Sequence, residues 1–217
     1  MSVGVGVVIP VKPLGRALMR LSSVLDAPSR RALQEAMLAD ILAACAVVPA
    51  IIERIVVTSD CDAAALAERL GARVVPDANP PTGINTAVAR GLAELTCPAL
   101  VLMADLALAT PGDLEFVIAN ALPAPGATLV SSLDGTGTNA MLLSPPGVIE
   151  PHLGPGSMAL HLAYARRAGV PVRVLERPRL GLDVDTPDDL ARFRADHGTG
   201  AAGRLIARLD AATPSGR

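Results

Sequence analysis

The segment VGVGVVIPV, residues 3–11, is the apolar run that decides the fold class, and it ends at Lys12. Its β-branched residues favour an extended backbone, and a run that is apolar on both faces is typical of a strand buried between two layers of helices. No cationic segment precedes it, so we interpret it as a first strand and not as a signal peptide. No stretch reaches the roughly eighteen uninterrupted apolar residues of a membrane span, and we expect a cytoplasmic protein.

Similar short runs alternate with longer stretches rich in Ala and Leu. The predicted strands are Val3–Val11, Arg54–Ser59, Arg73–Pro76, Ala99–Met103, Ala127–Ser131, Ala140–Leu143 and Val172–Leu175. The predicted helices are Ser29–Ala46, Asp62–Leu70, Asn85–Glu94, Pro111–Ala121 and Met158–Ala168. This alternation predicts an α/β fold, with a mostly parallel sheet and helices on both of its faces.

Domain organisation and helix starts follow from the same reading. We expect a single domain over residues 1–196 and a C-terminal tail, 197–217, that is partly helical around Arg204–Ala211 or frayed. Thr110 and Thr186 each place a capping hydroxyl directly before a Pro at the first helical position.

The composition excludes several classes of function. Hydrophobic residues make up 51% of the 217 residues, yet there are only two Phe, one Tyr and no Trp. Single-stranded nucleic acid is bound through aromatic stacking platforms, and a net charge of −2 without a basic run indicates neither a nucleic-acid partner nor a membrane surface. The three cysteines lack C-x-x-C spacing, so we expect reduced, mostly buried thiols and neither a disulfide framework nor a structural zinc site.

Ligands of open α/β sheets bind beyond the carboxyl ends of the strands, and several segments are predicted to lie there. The first follows the opening strand and contains Lys12, Arg16 and Arg20. Lys12 and Arg20 could pair with the charges of a triphosphate, because ammonium and guanidinium groups bind phosphate oxygens. An ordinary surface loop is the alternative at this point.

Aspartates mark two further strand ends. Asp105 follows a short apolar strand, where a carboxylate can bind Mg²⁺ between phosphate oxygens or else cap the next turn. Asp183 and Asp185 flank Val184, so in an extended segment both carboxylates lie on one side and repel each other unless a cation or donors compensate them. These three residues are our candidate ligands for a divalent metal, although Asp185 could simply assist the helix start at Thr186.

Two loops of small residues, Gly135–Asn139 and Leu153–Ser157, are rich in hydrogen-bond donors. The second opens a helix, so Ser157 is predicted as its N-cap and could bind an anion through the helix terminus. His161 lies one turn later, where it faces the same pocket or is a hydrogen-bonded structural histidine, the simpler interpretation. No G-x-S-x-G elbow or Cys/His arrangement favours covalent catalysis.

Ten short segments, taken in order, carry a resemblance to a known family. They are Val8–Leu14, Arg20–Ser22, Arg30–Arg31, Ala36–Leu38, Val57–Asp60, Gly83–Ala87, Met103–Leu106, Gly135–Ala140, Gly154–Ser157 and Leu182–Pro187. In order and spacing they resemble the guanylyltransferases of coenzyme F420 biosynthesis, which are related to the molybdenum-cofactor guanylyltransferases. The match covers residues 7–193.

The resemblance implies a Rossmann-like nucleotidyltransferase fold of the glycosyltransferase-A type. It also implies a reaction of GTP with a phosphorylated three-carbon acid, which is 2-phospho-L-lactate, phosphoenolpyruvate or 3-phospho-D-glycerate depending on the member. A phosphate oxygen of the acid would attack the α-phosphorus of GTP and pyrophosphate would leave, and no protein base is required because that phosphate is already ionised.

Each candidate residue takes a role from the resemblance, position by position. Mg²⁺ would be bound by Asp105, Asp183 and Asp185, and the acid would be bound by Thr138, Gly154 and Ser157. The GTP phosphates would contact Lys12 and Arg20, and the nucleoside would lie near Gly83 and Asn85. Lys12, Arg20 and Asp105 would then be the catalytic residues.

The sequence departs from the family where cations usually stand, at Leu18 and in Ser132-Leu133, and it has Ala107 in place of the usual Pro. Losing cations near an anionic substrate should weaken or reshape acid binding, so the choice of acid stays open. Two alternatives therefore stand beside an active guanylyltransferase: a non-catalytic nucleotide-binding or partner subunit, and a nucleotidyltransferase with another nucleotide or acceptor. An apolar helix face could also serve a homodimer.

Overall fold

A computed structural model describes residues 4–16, 18–196 and 198–212 of the chain. The strands are β1 (Val5–Pro10), β2 (Ile51–Thr58), β3 (Arg73–Pro76), β4 (Ala99–Leu102), β5 (Gly126–Ser131), β6 (Thr138–Ser144) and β7 (Val172–Leu175). The helices are α1 (Ala27–Ala46), α2 (Cys61–Arg69), α3 (Ile84–Ala93), α4 (Pro111–Ala119), α5 (Ser157–Ala168), α6 (Pro178–Gly181), α7 (Pro187–Ala195) and α8 (Ala201–Ala212). Two 3-10 helices, Leu14–Arg16 and Met19–Ser23, lie between β1 and α1.

These strands form one sheet in the order β3-β2-β1-β4-β6-β5-β7. All of its pairings are parallel except those of β6, which runs antiparallel to both of its neighbours, β4 and β5. The predicted α/β fold with a mostly parallel sheet is therefore confirmed. Because β6 is reversed, its first residue lies at the same edge of the sheet as the last residues of β1, β4 and β5.

Helices cover both faces of the sheet, as the apolar run in β1 predicted. Val7 and Ile9 are fully buried in one cluster with side chains of α1, α2 and α4. Val8 is fully buried in a second cluster, on the other face, with side chains of α3 and α5. A third cluster joins α1, α7 and α8 and contains Phe193. Each fully buried Val, Ile or Phe side chain contributes about 1.5–3 kcal/mol relative to an exposed one, so the aliphatic core accounts for the stability of this arrangement.

Both predicted Thr-Pro helix starts are confirmed. At α4, Thr110 Oγ1 accepts a hydrogen bond from Asp113 N, and Asp113 Oδ2 accepts one from Thr110 N. Thr186 and Asp189 form the same reciprocal pair at α7. Each capping box satisfies two backbone N–H groups that the helix itself leaves without a partner.

The cysteines depart in part from expectation. All three thiols are free, but only Cys45 is buried; Cys97 is half-buried and Cys61 is exposed because it opens α2 at the surface. Within the described ranges, no helix is long and apolar enough to cross a membrane.

Part of the predicted tail is a docked helix. Helix α8 packs against α1, and its Ala202 and Ile206 are buried in the third cluster. Asp40, on α1, accepts hydrogen bonds from Ala201 N (2.6 Å) and Ala202 N (2.9 Å) and so caps α8 from another helix. A Cβ at Gly200 would collide with this carboxylate. His197 and the predicted frayed end, residues 213–217, lie outside the described residues, as does the start of the first predicted strand.

We expect Asp40→Ala to lower the free energy of unfolding by about 1–2 kcal/mol, because it removes the acceptor of two N–H groups at a helix start. Asp40→Asn should cost less, since one acceptor oxygen remains. Urea unfolding followed by circular dichroism measures both. Glu68→Ala, at an exposed helical position, is the control and should change stability by less than about 0.5 kcal/mol. Equal effects of Asp40→Ala and Glu68→Ala would contradict the capping role.

Candidate active site

A cleft of about 500 Å³ opens at the edge of the sheet where β1 and β4 end and β6 begins. We call it the main cleft. Two smaller clefts of about 260 Å³ each adjoin it. The second cleft lies beside the 3-10 helices and α1, and the third cleft lies beside Gly83 at the start of α3. Lys12 and Ile84 line all three clefts. Every predicted site residue except Asn85 lines at least one of these three clefts.

The loop after β1 that carries Lys12 is held by side chains from two other elements. Gln34 Nε2, on α1, donates to the Lys12 carbonyl (3.2 Å), and Asp60 Oδ2 accepts from Leu14 N (3.0 Å). Asp60 also caps α2 through its other carboxylate oxygen. The backbone of the loop is thus fixed while the Lys12 side chain stays exposed at the mouth of the clefts.

Backbone pairing brings the three aspartates together. Val184 N donates to the Asp105 carbonyl (3.1 Å), so the segment 182–185 runs beside the residues that follow β4. Val184 is fully buried, whereas Asp183 and Asp185 are half-buried and line the main cleft together with Asp105. The alternation of these residues about Val184 is as the sequence pattern predicted.

Asp105 carries the largest electrostatic penalty of the three. Burial, and then the neighbouring carboxylate of Asp183, raises the pKa of Asp105 to about 7. Its Oδ1 atom is buried and accepts no hydrogen bond from the residues described. Burial also raises the pKa of Asp183, although Asn139 Nδ2 donates to its Oδ1 atom (3.2 Å). A buried, unpaired carboxylate oxygen beside a second carboxylate is an environment that a divalent cation would stabilise.

The chemistry of these ligands fits Mg²⁺, which binds carboxylate oxygens. Across the described part of the chain, a group of three potential ligands lies within 4.8 Å only at Asp60, Cys61 and Asp62, on the surface. The ligand atoms of the three cleft aspartates do not all lie within this distance of one another. Asp185 is also drawn to Arg20, with 3.0 Å between Oδ2 and Nη1, so this ion pair competes with a metal for the carboxylate.

Three cations line the main cleft: Lys12, Arg20 and Arg192. Arg20 is 72% exposed while paired with Asp185, and such a pair contributes at most about 1 kcal/mol to stability. Arg192, on α7, is exposed, and its side chain makes no hydrogen bond or ion pair with any described residue. The sequence alone did not mark Arg192, because a helical pattern does not tell which polar position lies beside a distant loop.

The opposite wall of the main cleft holds Thr138 and Ser157. Ser157 Oγ accepts from Thr138 N (2.8 Å), and Thr138 Oγ1 lies 3.0 Å from His161 Nδ1. The prediction that Ser157 caps α5 is wrong: Gly156 is the N-cap residue, with φ +70°, and the Ser157 hydroxyl instead bonds across to β6. His161 is fully buried behind this wall, and its Nε2 atom lies 2.8 Å from His152 N, which confirms a hydrogen-bonded histidine.

Two glycines give the cleft loops a backbone that side chains disfavour. Gly83 and Gly154 have φ values of +119° and +129°, which L residues rarely adopt. Asn85, two residues after Gly83, contacts the loop that contains Gly154. Its Oδ1 atom accepts from Leu153 N (2.7 Å), and its Nδ2 atom donates to the Leu153 carbonyl (3.2 Å). The Asn85 amide thus joins α3 to the loop before α5, and its role near a nucleoside stays a prediction.

The two positions that lack the family's usual cation have different surroundings. Leu18 is buried in the third cluster with φ +55°, so an apolar contact stands where a cation is usual. Leu133 is 48% exposed and lines the main cleft. The missing cation that bears on a ligand in the main cleft is therefore the one at Leu133.

Asp77, which the sequence did not mark, is the acidic residue of the third cleft. Its side chain is 7% exposed and lies 3.7 Å from Arg90 Nε. Asn139, at the second residue of β6, donates to the carbonyls of Leu180 and Gly181 as well as to Asp183. The sequence marked Asn139 only as part of a donor-rich loop, because the partners of its amide are distant in sequence.

Comparison with known proteins identifies the family. The chain matches the model of the CofC-like guanylyl transferases over residues 5–208. A phosphoenolpyruvate guanylyltransferase of Rubrobacter xylanophilus is 40% identical over 201 residues, which cover 88% of this chain and 94% of that protein. The family match extends over nearly the whole described chain and includes the first eight residues of α8.

Solved structures support the fold. A protein of Desulfovibrio desulfuricans, provisionally named a nucleotide-diphospho-sugar transferase, has a TM-score of 0.76 at 14% identity and covers 95% of each chain. A nucleotidyl transferase of Methanothermobacter has a TM-score of 0.63 at 17% identity, over 89% of this chain and 97% of that one. The predicted nucleotidyltransferase fold is confirmed. Because the family model matches residues 5–208, this chain belongs to the CofC-like guanylyl transferases and is a nucleotidyltransferase.

Proposed function

We propose that the protein transfers GMP from GTP to a phosphorylated three-carbon acid and releases pyrophosphate, as a step in coenzyme F420 biosynthesis. The observation that carries the proposal is the shared wall of the main and second clefts, where Asp105, Asp185, Lys12 and Arg20 line both. Two anionic substrates bound in adjoining clefts would meet at one set of charges. Phosphoenolpyruvate is the first candidate acid, because relatives at 34–40% identity are named for it.

The nucleotide would place its phosphates against the shared wall. Mg²⁺ held by Asp105, Asp183 and Asp185 would neutralise charge on the triphosphate and on the leaving pyrophosphate. Lys12 adds a cation at the mouth of the clefts, and Arg20 can turn from Asp185 to a phosphate oxygen, since its exposed ion pair is weak. The family resemblance is the source of these roles, and the raised pKa of Asp105 supports them.

The nucleoside would occupy the third cleft, beside Gly83. Asp77 is the acidic residue lining that cleft. Its Oδ1 atom already accepts from Ala78 N (2.7 Å) and lies near Arg90, so Oδ2 is the atom that could accept a hydrogen bond from the N1–H or the N2 amino group of guanine. The family match supports GTP as the nucleotide.

The acid would lie against the opposite wall of the main cleft, near Thr138, Gly154 and Ser157. Arg192 and the two hydroxyls are suited to phosphate and carboxylate oxygens. One phosphate oxygen of the acid forms a bond to the α-phosphorus of GTP while the bond from that phosphorus to the α–β bridging oxygen breaks, and pyrophosphate leaves with the electron pair. The ionised phosphate needs no base, so the chain's residues contribute position and charge.

The direct test is pyrophosphate release by the full chain with GTP, Mg²⁺ and each of the three acids. We expect turnover with phosphoenolpyruvate, and turnover with another of the acids would correct the choice of acid. A parallel thermal-shift series compares GTP, CTP and ATP. Binding of GTP without turnover on any acid supports a non-catalytic subunit, and a preference for CTP or ATP supports a different nucleotidyltransferase; either result overturns the proposal.

Asp105→Asn should remove the metal response. Without metal, the pKa of Asp105 is raised to about 7 from about 4 in the unfolded chain, so the folded protein binds the extra proton and loses stability as pH rises through that window. Asp105→Asn should lack this loss. Mg²⁺ should stabilise the wild type more at pH 8 than at pH 6, because it competes with the proton, and should stabilise the variant little.

Thermal unfolding in EDTA and in Mg²⁺ across pH 5.5–8 measures these effects. Asp188→Asn removes the same charge from an exposed position outside the described clefts and should behave as the wild type. A Mg²⁺ shift that survives Asp105→Asn unchanged would exclude Asp105 as a ligand.

Leu133→Arg should strengthen acid binding, because it places a guanidinium at the wall of the main cleft. One added charge contact of about 1 kcal/mol corresponds to a roughly fivefold lower KM for the acid, with the KM for GTP little changed. Leu160→Arg is the matched control, since Leu160 is 45% exposed and lines none of the three clefts. An equal effect of both variants would show that net charge, and not position, is responsible.

A further inference from the structure

His161 has a single allowed arrangement of its ring proton. The His152 backbone N–H can only donate, so Nε2 of His161, 2.8 Å away, must accept. Burial, and to a smaller extent His152, lowers the pKa of His161 to about 4, so the ring is neutral at neutral pH. A neutral imidazole carries one N–H, which here must be on Nδ1. The Nδ1–H therefore donates to Thr138 Oγ1, at 3.0 Å.

The direction of that bond fixes the role of the Thr138 hydroxyl. A hydroxyl has one proton to donate, and an oxygen that accepts from His161 keeps this proton for another partner. Within the described residues, Thr138 Oγ1 has no second hydrogen bond, and Thr138 lines the main cleft. Thr138 is only 4% exposed, so the hydroxyl proton can serve a ligand only where this residue lines the main cleft.

The Ser157 hydroxyl also keeps its proton for another partner. Its Oγ atom accepts from the backbone N of Thr138, which can only donate, and makes no other hydrogen bond with described residues. Ser157 lies in the first turn of α5 and lines the main cleft beside Thr138. The wall thus offers two hydroxyl protons side by side. Such a pair suits an oxygen anion, which only accepts, better than a ligand group that only donates.

We propose that His161 is a positioning residue that makes the Thr138 hydroxyl a dedicated hydrogen-bond donor to the anionic acid substrate. This inference rests on the proposed function. His161 also accepts from the His152 backbone, and the next residue, Leu153, is clamped by Asn85. It therefore has a second, purely structural task in holding the loop before α5, and the two tasks use different ring nitrogens.

Two substitutions separate the tasks. His161→Asn keeps an amide donor near the Nδ1 position, so it can still donate to Thr138 but no longer reaches His152. His161→Gln places its amide oxygen near the Nε2 position, so it can still accept from His152 but offers nothing to Thr138. In His161→Gln the amide oxygen is occupied by His152 N, and no group donates to Thr138 Oγ1. The Thr138 hydroxyl is then free to turn its proton away from the substrate.

We expect His161→Gln to raise the KM for the acid about tenfold, with GTP affinity within about twofold of the wild type. His161→Asn should stay within about threefold in both. Steady-state kinetics gives the KM values, and titration calorimetry with GTP and Mg²⁺ gives the affinity. If the two variants raise the acid KM equally, or if His161→Asn is the worse, the loop contact is the only role and the proposal is overturned.

A double-variant comparison tests whether His161 acts through Thr138. Thr138→Val removes the hydroxyl at nearly constant volume. Adding His161→Gln to Thr138→Val should then raise the acid KM no further, because no hydroxyl remains to be oriented. Independent, multiplicative effects would contradict the proposal. Melting temperatures of all variants identify any that fail to fold, and if His161→Gln is among them the tautomer of the wild-type protein decides the test.

The proton arrangement can be tested without any turnover. Nitrogen-15 NMR of the histidine side chains distinguishes the two neutral tautomers, and we expect the signals of His161 to show a protonated Nδ1 and an unprotonated Nε2 at pH 7. The opposite tautomer would overturn the inference. Failure of the proposed function gives a different result. The wild-type protein would then turn over none of the three acids, although His161 would show the expected tautomer.

Discussion

The hydrogen bond from Val184 N to the Asp105 carbonyl is the contact on which the rest of the site depends, because it brings three carboxylates to one edge of the sheet. The burial of Val184 fixes the register of that segment, so Asp183 and Asp185 lie on the cleft side. Burial, and then repulsion from the Asp183 carboxylate, raises the pKa of Asp105, and one of its oxygens accepts no hydrogen bond from the described residues. A fold does not gain stability from such an arrangement. Under the proposed function, a bound divalent cation would offset this cost.

Polar side chains from distant elements hold the loops around these carboxylates. Asp60 and Gln34 bond the backbone of the loop after β1, Asn85 bonds both backbone groups of Leu153, and Asn139 bonds the turn before Asp183. Each tie satisfies backbone groups that no strand or helix would satisfy. These bonds fix the backbone of the cleft loops, and fixed loops lower the ordering entropy that ligand binding must overcome.

The sequence predicted the architecture well because the signals for it are local. Branched apolar runs and Ala/Leu periodicity identified every strand of the sheet, and the Thr-Pro pairs located two helix starts. The expectation for Ser157 failed because the N-cap needs a particular backbone conformation, which Gly156 provides, while the serine hydroxyl found a partner on β6. The tail was also underestimated, since the cap that stabilises α8 comes from Asp40, far away along the chain.

Local pattern and ordered motifs thus determined the α/β class, the strand ends and a list of candidate residues, because side-chain periodicity and turn chemistry act between near neighbours. Only the tertiary structure decided which of those residues share a cleft. It placed Arg192 and Leu133 at the cleft wall, turned the Asn85 amide toward a loop, and set the proton of His161 by the backbone N–H that faces it. Hydrogen-bond direction, burial and charge proximity depend on partners that the chain brings together only when it folds.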